Sequence, residues 1–530
     1  MVVEALAALG AEAVFGLPGI HALPIWEGLR ESDLHTCGMR TELNAAFAAA
    51  GWAHVTGRAA PLILSTGPGA LNSLTGLMEA SSSHLPVVAI SSQIPRDLIG
   101  KGRGFLHELR DQRASFAPIV KWTGRAMSAA EIPEVVFQAW RHALARPSGP
   151  TYVEIPYDVL SGAAAEAEVG TFDGTAAEIR VAAAGAITEA AGLLSAAAAP
   201  VIWAGGGVLR SGAWHELAQL ASRLDAPVVT TYMGKGAFPE DHPLSAGSAA
   251  DESAFKELVG RADVLLCVGT ELGAETTSQY GLQLEGRVIQ IDADPSRIGA
   301  TYEAMPLVGD ARATLRALIE IVDTRVSDVR GETRAKEVRE RIARGLESQD
   351  RSLERGLLET IRAALPRDAV TSWDMTILGY WAAAHFVAFE PRRFLYPLGS
   401  GTLGFALPAA LGAKAALRGT PVLAVCGDGG FMYGISELAS ARQHGLAVRM
   451  LIVDDGGYGI LREYQRSTFE ANHGVDLAQP DFAALATAFG VPVRSTSADR
   501  LGADLEWAFA VDGPSVVVLR ERLATWSPTT

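Results

Sequence analysis

Residues 422–434, VLAVCGDGGFMYG, decide the fold. VLAV is an apolar run that reads as a buried strand, Gly427, Gly429 and Gly430 turn the chain, and residues 431–445 carry apolar side chains at helical spacing. Strand, glycine turn and helix form the unit of an open parallel α/β sheet. Such sheets bind ligands at the carboxyl ends of their strands, where backbone N–H groups and helix N-termini face anions. Asp428 sits in that turn and would repel a bare anion. A second apolar run, RMLIV at 449–453, leads into DDGGYGI at 454–460, where Asp454 and Asp455 pose the same conflict. A divalent cation resolves it. Mg²⁺ takes oxygen ligands in an octahedron, commonly one or two carboxylates together with phosphate oxygens. Asp428, Asp455 and the carbonyl of Gly457 are therefore the candidate metal ligands. An isolated Asp-Gly is ordinarily a turn former; two glycine-flanked acids after successive strands ask for more.

The same rhythm extends outward. In the first segment AVFGL, LILST, VVAISS and TYVEIP alternate with Ala-rich helical stretches such as NAAFAAAGWAHVTG (44–57). In the second the strand candidates are PVIWAGGG, PVVTTY, VLLCVG and RVIQIDAD, and in the third FLYPL, VLAVC, RMLIV and SVVVL. This predicts three doubly wound α/β domains with mostly parallel sheets, at 1–165, 183–325 and 350–530. The first and third share a rhythm compatible with similar folds. Residues 161–179, small and acidic, read as a linker, and the charge-rich 323–356 as a solvated helix or connection.

The 530 residues suit a large enzyme of about three domains. A formal charge of −15 with scattered acids excludes a polyanion-binding surface, so no nucleic acid partner is expected. Cys37, Cys267 and Cys426 have no metal-knuckle spacing and read as core residues of a reducing compartment. With no signal-like start and no run of about 18 apolar residues, a soluble cytoplasmic protein without a membrane partner is expected. One competing motif is Gly399-Ser-Gly401-Thr-Leu-Gly404, literally GxGxxG, after FLYPL and before the helical FALPAALGAKAAL. It would make the protein a nicotinamide oxidoreductase, but leaves Asp454, Asp455 and the glycines around Asp428 without a task.

GDG followed after about 27 residues by an Asn or Asp pair resembles the signature of enzymes that use thiamine diphosphate with Mg²⁺. PGIHALPIWEGL, RTELNAAFAAAGWAHVTG, LSTGPGALNSLTGLMEA, TTYMGKGAFPEDHPL, IDADPSRIGATY and SGTLGFALPAALGAK extend the likeness, in order, to the acetolactate synthase and benzoylformate decarboxylase family. The resemblance implies pyrimidine-binding, central and diphosphate-binding domains. Where the family has Asn-Asn, this chain has Asp454-Asp455, which keeps an oxygen at the metal. The resemblance places Thr376, Gly429, Gly430, Tyr458, Gly459 and Ile460 around the diphosphate. It has Gly401 face the pyrimidine amino group through its carbonyl, and makes Leu403 the wedge that bends the cofactor. Glu42 would bond the pyrimidine ring nitrogen, so that the cofactor's own imino nitrogen removes the C2 proton.

In the family these two halves come from different subunits, so a homodimer is the minimum unit and a homotetramer the expected assembly. The substrate would be a 2-oxo acid that loses CO₂, the resulting enamine being protonated or joined to an aldehyde or a second 2-oxo acid. His107 and Glu108 stand where relatives place active-site side chains, with His21 a further candidate. Ile460 and Leu461 are apolar where pyruvate decarboxylases carry a proton-donating glutamate, which tilts the expectation to a bulkier apolar 2-oxo acid or to carboligation. VGTELGAETTSQ (268–279) lacks the arginine and paired acids of the family's flavin motif, so no FAD is expected. A third possibility is a catalytically silent relative, against which the intact Glu42 counts.

Overall fold

The computed structural model describes residues 1–162, 179–325 and 330–529; the linker expected at 161–179 falls, but for its ends, outside these residues. Three six-stranded sheets organise the chain, and every strand pair in them is parallel. In space the first runs His35–Gly38, Ala13–Gly16, Ala60–Leu64, Val87–Gln93, Thr151–Pro156, Trp122–Arg125. The third runs Phe394–Leu395, Val370–Trp373, Val422–Gly427, Val448–Asp454, Ser515–Arg520, Val493–Thr496. Counted along each segment, both follow the order 2-1-3-4-6-5, so the shared rhythm is a shared topology. The central sheet has the order 3-2-1-4-5-6 and reverses between Val201–Ala204 and Val264–Val268. There the glycines of AGGG serve close packing: Gly207 N donates to Gly269 O at 2.9 Å, and a methyl on Gly207 would meet Gly269 backbone.

Residues 331–347 form a helix, Gly331–Glu347, whose Ala335, Val338, Ile342 and Leu346 are buried at helical spacing. The charge-rich stretch is thus amphipathic, with one face in the core instead of wholly solvated. Among the described residues no helix is long and apolar enough to cross a membrane, and all three cysteines are buried and unpaired.

The first and third sheets meet through helices Glu42–Thr56 and Ala406–Ala416, which are buried almost all round. Both are rich in Ala and Gly, and at the glycines the backbones touch. A methyl on Gly51 would overlap the carbonyl of Ala409, and one on Gly412 the carbonyl of Ala48. Since both obstacles are backbone, neither can swing aside. Gly412→Ala is therefore expected to lower stability by about 1–3 kcal/mol in urea unfolding, although Ala is the better helix former.

Candidate active site

Two strands of the third sheet, adjacent and in register, end beside each other with their acids at the carboxyl edge. Gly427 caps the helix Asp428–Gly434, and the turn must stay bare: a Cβ on Gly430 would strike the Asp374 carboxylate, and one on Gly429 would lie 2.6 Å from the Tyr458 ring. Asp428 accepts Gly429 N through Oδ1 at 2.8 Å and Gly456 N through Oδ2 at 3.1 Å. The successive aspartates then diverge, as alternation along a strand demands. Asp454 takes Arg520 Nε at 3.0 Å. Asp455 is buried, and its Oδ1 has no hydrogen-bond partner. Arg462 Nη1 stands 4.0 Å from that oxygen, but its Nε is held by Asp476 at 2.9 Å.

Burial raises the Asp428 carboxyl above its ordinary range. Asp455 is pushed up to about 7, by burial first and by the neighbouring charge of Asp428 second. Two desolvated carboxylates, one with an idle oxygen, are a site that lacks positive charge. Among the described residues no three His, Cys, Asp or Glu side chains form a metal cage, so a cation here would draw on these two acids, the backbone and a bound ligand's oxygens.

The cofactor and metal candidates of the third segment, Thr376 through Ile460, line one cavity of about 250 Å³ together with Met375, Tyr380 and Leu461. Sequence reasoning missed Asp374, which organises one wall. It is buried, its carboxyl raised to about 7 by burial, and it accepts Gly404 N at 3.0 Å and Phe405 N at 3.3 Å, pinning the turn that carries Gly401 and Leu403. The apparent dinucleotide fingerprint is that same turn. Its Ser400 N and Oγ are taken by Glu79 at 2.8 and 2.7 Å. Two carboxylates already hold the N–H groups a pyrophosphate would need, so the nicotinamide reading loses its site.

No residue before Met375 lines the cavity. Glu42 opens helix Glu42–Thr56, capped by the Thr41 hydroxyl, and takes Asn72 Nδ2 at 3.2 Å. Gly69 presses on it: a Cβ there would lie 3.1 Å from Glu42 Oε1. His21 and His107 meet at the same end of the first sheet, rings 5.3 Å apart and nearly perpendicular, each with a buried Nδ1 lacking a partner. Burial, then the charge of His107, holds the His21 imidazole below its usual pKa. Glu108 is spent on its own loop, accepting Gly102 N, Gly104 N and Phe105 N at 2.8, 2.7 and 3.1 Å. These bonds hold the loop around the left-handed turn at His107. The candidate residues thus fall into two groups, one around Asp428 and one around Glu42.

Comparison with known proteins covers all three segments of the chain. Residues 1–115 match "Thiamine pyrophosphate enzyme, N-terminal TPP binding domain", residues 187–318 the central domain of the same enzymes, and residues 374–519 their C-terminal TPP binding domain. The chain is 36% identical to a probable 2-ketoarginine decarboxylase of Pseudomonas aeruginosa, over 98% of this chain and 93% of that protein. It is 34% identical to an acetolactate synthase of Mycobacterium bovis, over 92% and 82% of the two chains. With acetolactate synthase isozyme 3 large subunit of Escherichia coli it shares 31%, over 92% and 88%.

Proposed function

Because the chain belongs to the thiamine pyrophosphate enzyme family, we propose that it is a Mg²⁺-dependent 2-oxo acid decarboxylase whose product carbon is either protonated or passed to a second carbonyl compound. The observation that carries this reading is the idle, buried Oδ1 of Asp455 beside Asp428, a gap of positive charge at the mouth of a glycine turn. Asp428, Asp455 and the Gly457 carbonyl would hold Mg²⁺ and through it the diphosphate, while Gly429, Gly430 and Thr376 line its bed. When bound, the cofactor supplies a carbon nucleophile for the substrate carbonyl and a cationic ring that takes up the electron pair left by departing CO₂. Leu403, on the turn pinned by Asp374, would help to position the cofactor, Glu42 would hold a proton at its pyrimidine, and His21 and His107 would move protons at the substrate oxygen and carbon, from a wall with no carboxylic acid at Leu461. Residues 1–165, 183–325 and 350–530 are assigned to the pyrimidine-binding, central and diphosphate-binding domains.

A dimer completes the site in this proposal. Ile20, Leu23 and Leu106 around the Glu42 half, and Met432, Tyr433 and Leu461 around the Asp428 half, are large apolar side chains left exposed in one chain. The test is CO₂ release from a panel of 2-oxo acids, with and without thiamine pyrophosphate, Mg²⁺ and an added aldehyde. Turnover that needs both cofactors is expected, and turnover indifferent to them would end the proposal.

Metal binding should depend on pH with a defined sign. Asp455 holds its proton up to about pH 7 in the metal-free protein, and a metal ligand must give that proton up. Mg²⁺ affinity is expected to fall about tenfold per pH unit below 7 and to level off above it. The same shift makes the metal-free fold relatively more stable at low pH and less so as pH rises through 7, so Mg²⁺ should raise the melting temperature more at pH 8 than at pH 6. An identical increment at both would contradict it.

A further inference from the structure

Helix Gly331–Glu347 buries Ile342 and Leu346 on one face, and helix Ser352–Ala363, which follows after a short turn, buries Leu358. Between these helices, the edge strand Ser245–Gly247 of the central sheet and the end of helix Ile377–His385 lies a cavity of about 550 Å³. That size falls in the range of roughly 300–1,000 Å³ typical of small-molecule sites. Ile342, Leu346, Leu358 and Phe386 give the cavity an apolar floor. No residue of the groups around Asp428 and Glu42 lines it, so it is separate from the candidate active site.

Over this floor stand three guanidinium groups with few anions to answer them. Arg362 lies over the Phe386 ring, 5.3 Å from its centroid, where cation and apolar wall meet. Arg362 gives Nη2 to the carbonyls of Leu365 and Pro366, and Arg339 gives Nη1 to those of Pro243 and Ser245, so each keeps further N–H donors. Neither has an Asp or Glu partner among the described residues. The Arg355 guanidinium makes no hydrogen bond among them, and its ion pair, to the exposed Glu347, is 3.7 Å long. Two acids also line the cavity. Glu240 is answered by Lys235 at 2.7 Å, and Glu359 is exposed to water. His385, on the same wall, adds no charge, since burial first and the charges of Lys235 and Arg355 second hold its imidazole down to about 3. The lining is thus apolar below and positive above, in a chain whose formal charge is −15.

We propose that this cavity is a second ligand site, which takes a monocarboxylate with an unbranched apolar chain: the chain on Ile342, Leu346 and Leu358, the carboxylate on Arg355 with the spare donors of Arg339 and Arg362. The guanidinium fork matches a carboxylate, and an apolar tail covers side chains that water would otherwise wet. A neutral molecule of the same shape leaves the three cations unanswered, and a dicarboxylate brings its second charge onto the apolar floor.

The test is calorimetric titration of the holoenzyme with hexanoate, heptanoate and octanoate, beside octanamide as the neutral isostere of the last. Affinity is expected to rise about threefold to fourfold with each added methylene. Octanoate should bind at least about tenfold more tightly than octanamide, the margin of a charge-assisted pair. Arg355→Gln, which breaks no hydrogen bond of the guanidinium, should bring acid and amide to within about threefold of each other. Ala343→Trp fills the cavity from an exposed position of helix Gly331–Glu347. It should weaken octanoate and octanamide by more than about tenfold while leaving the melting temperature of the unliganded protein where it was. Octanoate binding that Ala343→Trp leaves intact would place the ligand elsewhere, in the cofactor cavity among other places, and overturn the proposal. Acid and amide of equal affinity in the unaltered protein, affinity indifferent to chain length, or no binding of octanoate at millimolar concentration would overturn it as well. Since the readout is heat of binding and not CO₂ release, each of these outcomes is independent of the proposed reaction.

Discussion

Asp428→Asn is expected to weaken Mg²⁺-dependent binding of thiamine pyrophosphate by more than about 100-fold, the upper end of what losing even an outer-shell partner of a metal costs. The amide keeps one oxygen, which can accept Gly429 N, while the bond from Gly456 N is lost together with the charge. The metal-free fold should change little: burial and the neighbouring acids already make the Asp428 charge costly, and removing it relieves Asp455, which offsets the lost bond to Gly456. Binding and folding are thereby separated, and a titration followed by calorimetry beside a thermal melt reads both. Asp455→Ala should behave likewise. The adjacent Asp454→Asn is the informative contrast, because that side chain faces Arg520 and not the cavity. It should change cofactor affinity by less than about threefold, because Asp454 does not line the cavity and its carboxylate is paired with Arg520. Equal losses at 454 and 455 would mean that the alternation along this strand has been misread and that another group holds the metal.

The parts of the site that were legible in the sequence are those where chemistry and local geometry coincide on a few consecutive residues. An acid among glycines after an apolar run fixes a strand end, a helix start and a charge conflict together, which is why Asp428 and Asp455 stand out. Asp374 gives no such signal. It follows VTSW, a strand with little apolar character, and its partners Gly404 and Phe405 lie some 30 residues on, joined only by the fold. Strands with no apolar run to mark them, such as His35–Gly38, Trp122–Arg125 and Val493–Thr496, are sheet edges, paired on one side and partly open to water. The GxGxxG stretch misleads for a related reason. Its pattern records a glycine turn before a helix, but what occupies the turn's N–H groups is settled by Glu79 and Asp374, which spacing cannot reveal.

Glu42→Gln should leave cofactor affinity within about threefold of the unaltered protein and lower kcat by about 10²–10⁴-fold, the span of a lost acid/base function. The amide still fits beside Asn72 and Gly69, so any loss in rate reports the proton and not the packing. The decisive form of the experiment combines the two lesions. In one chain the cavity around Asp428 is lined without any residue from the Glu42 half, and the exposed apolar side chains flank both halves. If each working site takes Glu42 from one subunit and Asp428 from its partner, a mixed dimer of a Glu42→Gln chain with an Asp428→Asn chain has one site with both lesions and one with neither. Equal mixing and random pairing in a two-fold dimer then restore about one quarter of the unaltered activity, from two preparations that are each nearly inactive. If the halves come from the same chain, every site in the mixture carries one lesion and nothing is regained. The ratio of mixed to parental activity therefore distinguishes a shared site from a private one without reference to which 2-oxo acid is used.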